Sequence, residues 1–128
     1  MVAMQWQGGV LSLLDQGAYP QEEKWLTCNT WEETAQALAT PAVQEEKVAA
    51  IAAAYGYAQA AIAAQDKLGT DAFQAALDQA KEQLLASRPG SRDVAAALAF
   101  VETPPEAYTK NADKLTAILD RKSTRLNS

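Results

Sequence analysis

The 128-residue chain contains no histidine and a single cysteine, Cys28. Without histidine it cannot form a Ser-His-Asp triad, a Cys-His pair or a histidine metal site. One cysteine excludes an internal disulfide and a cysteine-rich zinc site. Any chemistry within the chain must therefore use carboxylates, lysine, arginine, tyrosine, hydroxyls or backbone groups, and we assign it no metal and no cofactor.

Basic residues and long hydrophobic runs are also scarce. The chain has 11 Lys and Arg against 16 Asp and Glu, for a net charge of −5. This balance argues against sequence-independent binding to nucleic acid or to an anionic membrane, because both need concentrated positive charge. No uncharged apolar run reaches the length of a membrane span, and no signal peptide opens the sequence. We expect a cytoplasmic protein with no nucleic-acid and no membrane partner.

Alanine makes up the largest part of the apolar content. The chain has 28 alanines, against 24 Leu, Ile, Val and Phe residues together. Alanine has the highest helix propensity and allows helices to approach closely, whereas strands disfavour it. The composition predicts closely packed helices.

The strand signals are confined to the first 28 residues. Met4 to Gln7 and Val10 to Asp15 are short apolar-rich runs separated by Gly8-Gly9, a pair suited to a tight hairpin turn. Glu23 to Cys28 alternates in the way expected of a third strand covered on one face. A small three-stranded antiparallel sheet is predicted.

From Thr30 onward the hydrophobic period becomes helical. Thr30 and Glu33 form a capping box for a first helix, and Pro41 ends that helix or opens a second one that runs to about Gln65. The predicted apolar face of the first helix consists of Trp31, Ala35, Leu38 and Ala39. The second helix is so rich in alanine and aliphatic residues that we expect it to be buried on more than one side.

Three more helices follow in the pattern. Thr70 caps a third and Ser91 a fourth, and Thr103-Pro104-Pro105-Glu106 opens a fifth. The predicted apolar faces are Phe73, Leu77, Ala80 and Leu84; Val94, Ala97, Leu98 and Val101; and Tyr108, Ala112, Leu115 and Leu119. The predicted fold class is α+β, with a small N-terminal three-stranded antiparallel sheet followed by about five helices.

The last nine residues, 120–128, lose both the periodicity and the alanine. Their sequence, DRKSTRLNS, resembles an in-frame translation of a sequencing-library adapter. We interpret residues 1–119 as the domain and 120–128 as a non-native tail, the alternative being an ordinary basic tail. If the tail is foreign, we expect that the natural chain continued from residue 119 in its place.

Four segments in order resemble a known family. They are WQGGVLSLLDQ (6–16), PQEEKWLTCNTWEETAQAL (20–38), IAAAYGYAQAA (51–61) and LLASRP (84–89). Together they resemble the N-terminal domain of S-methyl-5-thioribose-1-phosphate isomerases, which are related to the regulatory subunits of translation initiation factor two B. The resemblance covers residues 4–98 and only the first part of a full family member.

The resemblance implies aldose-ketose isomerisation of a sugar phosphate in methionine salvage. It also implies that the catalytic cysteine and aspartate belong to a later Rossmann-like domain, so that no catalytic residue is assigned in this chain. Cys28 does not match the family's catalytic cysteine. Homodimers are implied as well, through contacts that lie mainly in the later domain.

The family's N-terminal domain is expected to contribute two phosphate-binding arginines. Where one lies in an Arg-Gly-Ala-Pro stretch, this chain has Gln44, Glu45, Glu46 and Lys47, so the arginine is lost and two carboxylates would repel a phosphate. Arg88-Pro89 matches the second arginine segment, and Arg88 is our one candidate phosphate ligand. Residues 90–93, which follow this segment, read Gly-Ser-Arg-Asp where the family has Thr-Ala-Val-Asn.

Each candidate also has a purely structural interpretation. Arg88 is suited to be a cation at a helix C-terminus, and Glu45 and Glu46 to be a solvated first helical turn. Cys28 is interpreted as a small core residue. The three tryptophans are interpreted as covering the sheet and anchoring helix to sheet, rather than as ligand-stacking groups: Trp6, Trp25 and Trp31.

The sequence is compatible with three functions. The first is the N-terminal domain of a thioribose-phosphate isomerase-like protein, inactive without its catalytic domain. The second is a non-catalytic interaction or scaffold module, either degenerate or engineered. The third is an unrelated alanine-rich helical adaptor, which requires the order of the motifs to be accidental.

Overall fold

The computed structural model describes residues 4–102. The elements are β1 (Met4–Gln7), β2 (Val10–Leu14), β3 (Trp25–Cys28), α1 (Trp31–Leu38), α2 (Glu46–Ala63), a 3₁₀ turn (Gln65–Lys67), α3 (Asp71–Ser87) and α4 (Arg92–Glu102). The predicted α+β class is confirmed, because a three-stranded antiparallel sheet precedes the helices. Residues 4–102 form four α-helices rather than five; the fifth predicted helix and the tail at 120–128 lie outside the described residues.

The hairpin forms where the glycine pair predicts it. Gly8 and Gly9 have φ values of 59° and 89°. Positive φ at both central positions is what a two-residue type I′ turn requires, and glycine adopts it without steric cost. β2 lies in the middle of the sheet, where Leu11 is opposite Trp6 on one side and Cys28 on the other. β2 and β3 are slightly shorter than predicted.

The capping box at the start of α1 is confirmed, except that the Glu33 carboxylate binds the residue before the cap instead of the cap itself. The Glu33 N–H donates to Thr30 Oγ1 at 3.2 Å, as in the usual motif. The Glu33 carboxylate, however, accepts from the N–H of Asn29 at 2.6 Å, one residue before the cap. The first interaction pairs an N–H group that the first turn would otherwise leave unpaired, and the second ties the residue before the cap to the helix.

The buried face of α1 includes a polar pair. Thr34 and Gln59 are both buried, and the Thr34 hydroxyl donates to Gln59 Oε1 at 2.5 Å. The Gln59 amide donates to the carbonyls of Gly9 and Cys28 at 3.0 and 2.9 Å. This pair therefore joins α1 and α2 to the hairpin turn and to the end of β3. Ala39, which the sequence places on the apolar face, is exposed.

α2 lies at the centre of the domain. It packs against α1, α3, α4 and β2, and every residue from Val48 to Ala61 except Ile51 is buried. Close approach depends on the small side chains: a Cβ at Gly56 would lie 3.0 Å from Leu84 Cδ2. The prediction of a helix buried on several sides is confirmed. None of the helices within residues 4–102 is long and apolar enough to cross a bilayer.

α2 begins at Glu46, five residues after the proline that the sequence offered as its start. A tertiary contact holds the intervening loop: Gln16 Oε1 accepts from the N–H groups of Gln44 and Glu45 at 2.8 and 3.1 Å. The Gln16 N–H in turn donates to Ala42 O at 2.7 Å. Pro41 therefore belongs to the loop, not to a helix.

α3 and α4 pack with the faces that their periodicity predicts. The buried residues of α3 are Phe73, Leu77, Ala80 and Leu84, and those predicted for α4 are buried too: Val94, Ala97, Leu98 and Val101. Ser91 caps α4, because its Oγ accepts from the Val94 N–H at 3.2 Å. Thr70 precedes α3 without a side-chain cap; its hydroxyl donates to Lys67 O instead.

Candidate functional site

Four helix ends meet around Arg88. α3 ends at Ser87, and Arg88 follows as its C-cap before Pro89 and Gly90, whose φ of 80° turns the chain. Proline cannot continue the helix and glycine readily adopts positive φ, so the sequence stops α3 here. The site contains Leu38 at the end of α1, Val43 in the following loop, Glu46 at the start of α2, Arg88, and Ser91 before α4. We call this set the helix-end junction.

The guanidinium of Arg88 is held by the protein itself. Nη1 donates to the carbonyls of Val43 and Leu38 at 2.6 and 3.3 Å, and Nη2 donates to Glu46 Oε1 at 2.7 Å. The side chain is 19% exposed. The interpretation as a helix-end cation is thus modified: its carbonyl partners lie at the end of α1 and in the next loop, not on α3.

Both oxygens of the Glu46 carboxylate are bound. Oε1 forms the ion pair with Arg88, and Oε2 accepts from the Ser91 hydroxyl. The hydrogen bond from Ser91, followed by that from Arg88, lowers the pKa of Glu46 below its ordinary value of 4.5. Because Glu46 is also the first residue of α2, its charge lies at the positive end of that helix.

The other three residues of the altered loop take no part in this cluster. Gln44 and Glu45 contribute backbone N–H groups to Gln16, and Glu45 is the N-cap of α2 without a side-chain capping bond. Lys47 is exposed on the first turn of α2. Of the four positions singled out in the sequence, only Glu46 therefore meets Arg88.

A shallow groove of about 370 Å³ opens over the ion pair. It is lined by the end of α1, by Glu46 and by residues 87–91. A second groove of about 420 Å³ lies between α1 and α3, where Glu32 is the only charged side chain in its lining. The described part of the chain therefore places an arginine in the first groove and no cation in the second.

Sequence reasoning found Arg88 but missed most of its partners. Ser91 is predicted only as a helix cap, a role that it does have, and its hydroxyl also donates a hydrogen bond to Glu46. The carbonyls of Leu38 and Val43 carry no sequence signal, since every residue has a carbonyl. The pairing of Arg88 with Glu46 follows only from the tertiary fold.

The remaining candidates are packing residues in the structure. Cys28 is buried in the core, and burial raises the pKa of its thiol. Trp6 stacks on Tyr55 with ring centroids 4.7 Å apart, while Trp25 and Trp31 are half-buried. Burial likewise raises the pKa of Tyr55 to about 12.

Within residues 4–102 no three His, Cys, Asp or Glu side chains come together as metal ligands would.

Comparison with known proteins gives both sequence relatives and structural neighbours. The chain is 35% identical over 126 residues to a methylthioribose-1-phosphate isomerase from Marinobacter nauticus, an alignment that covers 98% of the chain and 34% of the relative. The crystal structure of 5-methylthioribose 1-phosphate isomerase from Pyrococcus horikoshii superposes with a TM-score of 0.86 at 20% identity, over 98% of this chain and 35% of that one.

A second solved structure has the same fold. It is the delta subunit of translation initiation factor eIF-2B from A. fulgidus, with a TM-score of 0.84 and 22% identity over 98% of this chain and 36% of that one. No family model matches the sequence. The chain spans between 16% and 34% of the length of the curated relatives reported by sequence comparison.

These matches agree with the family suggested by the sequence motifs. The relatives align over most of the chain, and the two solved structures share its fold. The chain therefore belongs to the methylthioribose-1-phosphate isomerase family, and its fold recurs in an initiation factor eIF-2B subunit.

Proposed function

We propose that the chain is the N-terminal domain of a methylthioribose-1-phosphate isomerase-like protein. That protein would interconvert an aldose 1-phosphate and its ketose isomer in methionine salvage, in the cytoplasm. The proposal is supported by relatives named for this activity. The domain's own contribution would be to position the substrate phosphate beside Arg88.

The observation that carries this proposal is the geometry of Arg88. Nη1 of its guanidinium is fixed by two backbone carbonyls, and Nη2 is paired with Glu46, which lines the same groove at the starts of α2 and α4. Arginine binds phosphate oxygens through paired N–H groups, and helix N-termini favour negative charge. These features match the chemistry of a phosphate ester.

Chemistry on the sugar itself would require another domain. Isomerisation needs groups that move protons between neighbouring carbons, and a reactive cysteine must be accessible as a thiolate. Cys28 is instead 2% exposed with a raised pKa. We therefore propose that the chain works together with a C-terminal domain of the kind found in its longer relatives, and that homodimers form through that domain.

Two enzyme preparations test the proposal. The purified 128-residue chain should show no turnover of methylthioribose 1-phosphate above buffer. A chimera in which residues 4–102, carrying Glu46→Ala so that Arg88 has no internal carboxylate partner, replace the aligned segment of the Marinobacter nauticus isomerase should show turnover. Activity of the isolated chain, or a folded chimera without activity, would contradict the proposal.

A second candidate function is a non-catalytic interaction or scaffold module. The observation that favours it is the Glu46 carboxylate, which neutralises the only arginine of the helix-end junction. A scaffold role predicts no binding heat when a sugar phosphate is titrated into the purified chain. A micromolar dissociation constant would exclude this candidate.

A further inference from the structure

The Glu46 carboxylate occupies the helix-end junction in the way a bound oxyanion would. One of its oxygens accepts from a guanidinium and the other from a hydroxyl. The hydroxyl belongs to Ser91, whose own oxygen is already fixed by the Val94 N–H, so its proton is aimed at the carboxylate. A carboxylate bound through both oxygens is an internal analogue of a phosphate or sulfate bound through two.

The donors would stay in place without Glu46. Arg88 Nη1 remains bonded to the carbonyls of Val43 and Leu38, so the direction of the guanidinium does not depend on the ion pair. The Ser91 hydroxyl likewise remains fixed as the cap of α4. A site whose donors are held by other contacts loses little free energy in reorganising when its occupant changes.

Glu46 also sets the net charge of the helix-end junction. The charges of the neighbouring side chains cancel: Glu45 and Lys47 flank Glu46 at the start of α2, and Arg92 and Asp93 begin α4. With Glu46 present, Arg88 is neutralised. Without it, the arginine and the two helix N-termini leave a net positive site.

We infer that Glu46 is a built-in counter-anion that closes an oxyanion site formed by Arg88 and Ser91, so that an external phosphate binds only when this carboxylate is removed or displaced. The inference rests on the proposed function in taking Arg88 as an anion ligand, but it requires no isomerase chemistry. The ligand class is a phosphate dianion or the phosphate group of an ester.

The test is a titration with inorganic phosphate in which the backbone amide NMR signals are recorded at each phosphate concentration. The ionic strength is held constant, and a titration with chloride serves as the reference. Glu46→Ala should give saturable shifts around Ser91 and Val94 and bind phosphate at least about tenfold more tightly than the unchanged chain. Glu45→Ala is the matched control, because it removes the same charge from the same helix start without touching Arg88. This control should bind no better than the unchanged chain.

Two further variants keep the result decisive. Glu46→Ala combined with Arg88→Met should lose the gained binding. If Glu46→Ala alone does not fold, Glu46→Gln decides, since it removes the charge and its amide retains only one of the two acceptor oxygens. Equal binding by the Glu45 and Glu46 variants, no gain in a folded Glu46 variant, or unchanged binding in the double variant would overturn the inference. The chimera's turnover tests the isomerase proposal separately.

Discussion

Replacing Gln59 with leucine tests the polar pair that joins the sheet to the helices. Gln59 is 4% exposed, and its side chain makes three hydrogen bonds: it donates to Gly9 O and Cys28 O and accepts from Thr34 Oγ1. Leucine has nearly the same volume but no polar atoms. The substitution therefore changes hydrogen bonding with little change in packing.

The expected cost follows from which groups lose their partners. The bond to Cys28 O is buried, and an unsatisfied buried carbonyl costs about 1–3 kcal/mol. The bond to Gly9 O is only partly buried, so water can replace much of it. Thr34 still has Thr30 O within 3.3 Å. We expect Gln59→Leu to lower the free energy of unfolding by about 2–4 kcal/mol.

Urea denaturation measures this difference. With an m-value of about 1–3 kcal/mol/M, the midpoint should fall by about 0.7–4 M. Gln79→Leu is the control, because Gln79 is exposed on α3 and its change should stay within about 0.5 kcal/mol. Thr34→Val combined with Gln59→Leu should cost less than the sum of the two single changes. If Gln59→Leu and Gln79→Leu had the same midpoint, our account of the polar pair would be wrong.

Three other predictions concern packing, titration and reactivity. Ala53 is fully buried on α2, so Ala53→Leu should destabilise the domain by about 1–3 kcal/mol through overpacking. Ala95 lies on the exposed face of α4, so Ala95→Leu should not have this effect. Thermal unfolding midpoints of the two variants test the difference. Because the pKa of Glu46 is lowered in the folded protein, its ionised carboxylate stabilises the fold fully at pH values above its ordinary pKa of 4.5. This stabilisation disappears as the pH falls through the lowered pKa. Glu46→Gln should remove this part of the pH dependence, which urea midpoints at neutral and acidic pH would reveal; an unchanged profile would contradict the assignment. Cys28 should react with a thiol reagent only in denaturant, and fast reaction of the native protein would contradict its burial.

Local signals predicted the regular elements well. Gly8 and Gly9 specify their turn because positive φ is costly for other residues, and the turn lies where expected. Phe73 and Leu77 mark the buried face of α3 because residues four apart lie on one side of a helix. Such features depend on neighbours within one turn, so the sequence alone determines them.

Contacts between distant parts of the chain were not predictable in this way. Arg88 and Glu46 are 42 positions apart, and no local rule indicates that they meet. Thr34 was missed as a core residue because its polarity suggests exposure, whereas its partner lies 25 positions further along. The start of α2 was misplaced because Gln16, 28 positions before Gln44, holds the preceding loop. The family resemblance singled out Arg88 and the two carboxylates Glu45 and Glu46, but not that Glu46 is the one that pairs with the arginine.

The central position of α2 has a consequence for how the domain opens. Because this helix is surrounded by α1, α3, α4 and the sheet, none of those elements can detach without exposing its alanine surface to water. Its backbone amides should therefore exchange with deuterium only through global unfolding, and at similar rates along most of its length. The domain is then a single cooperative unit, and the amides of α2 report its global opening.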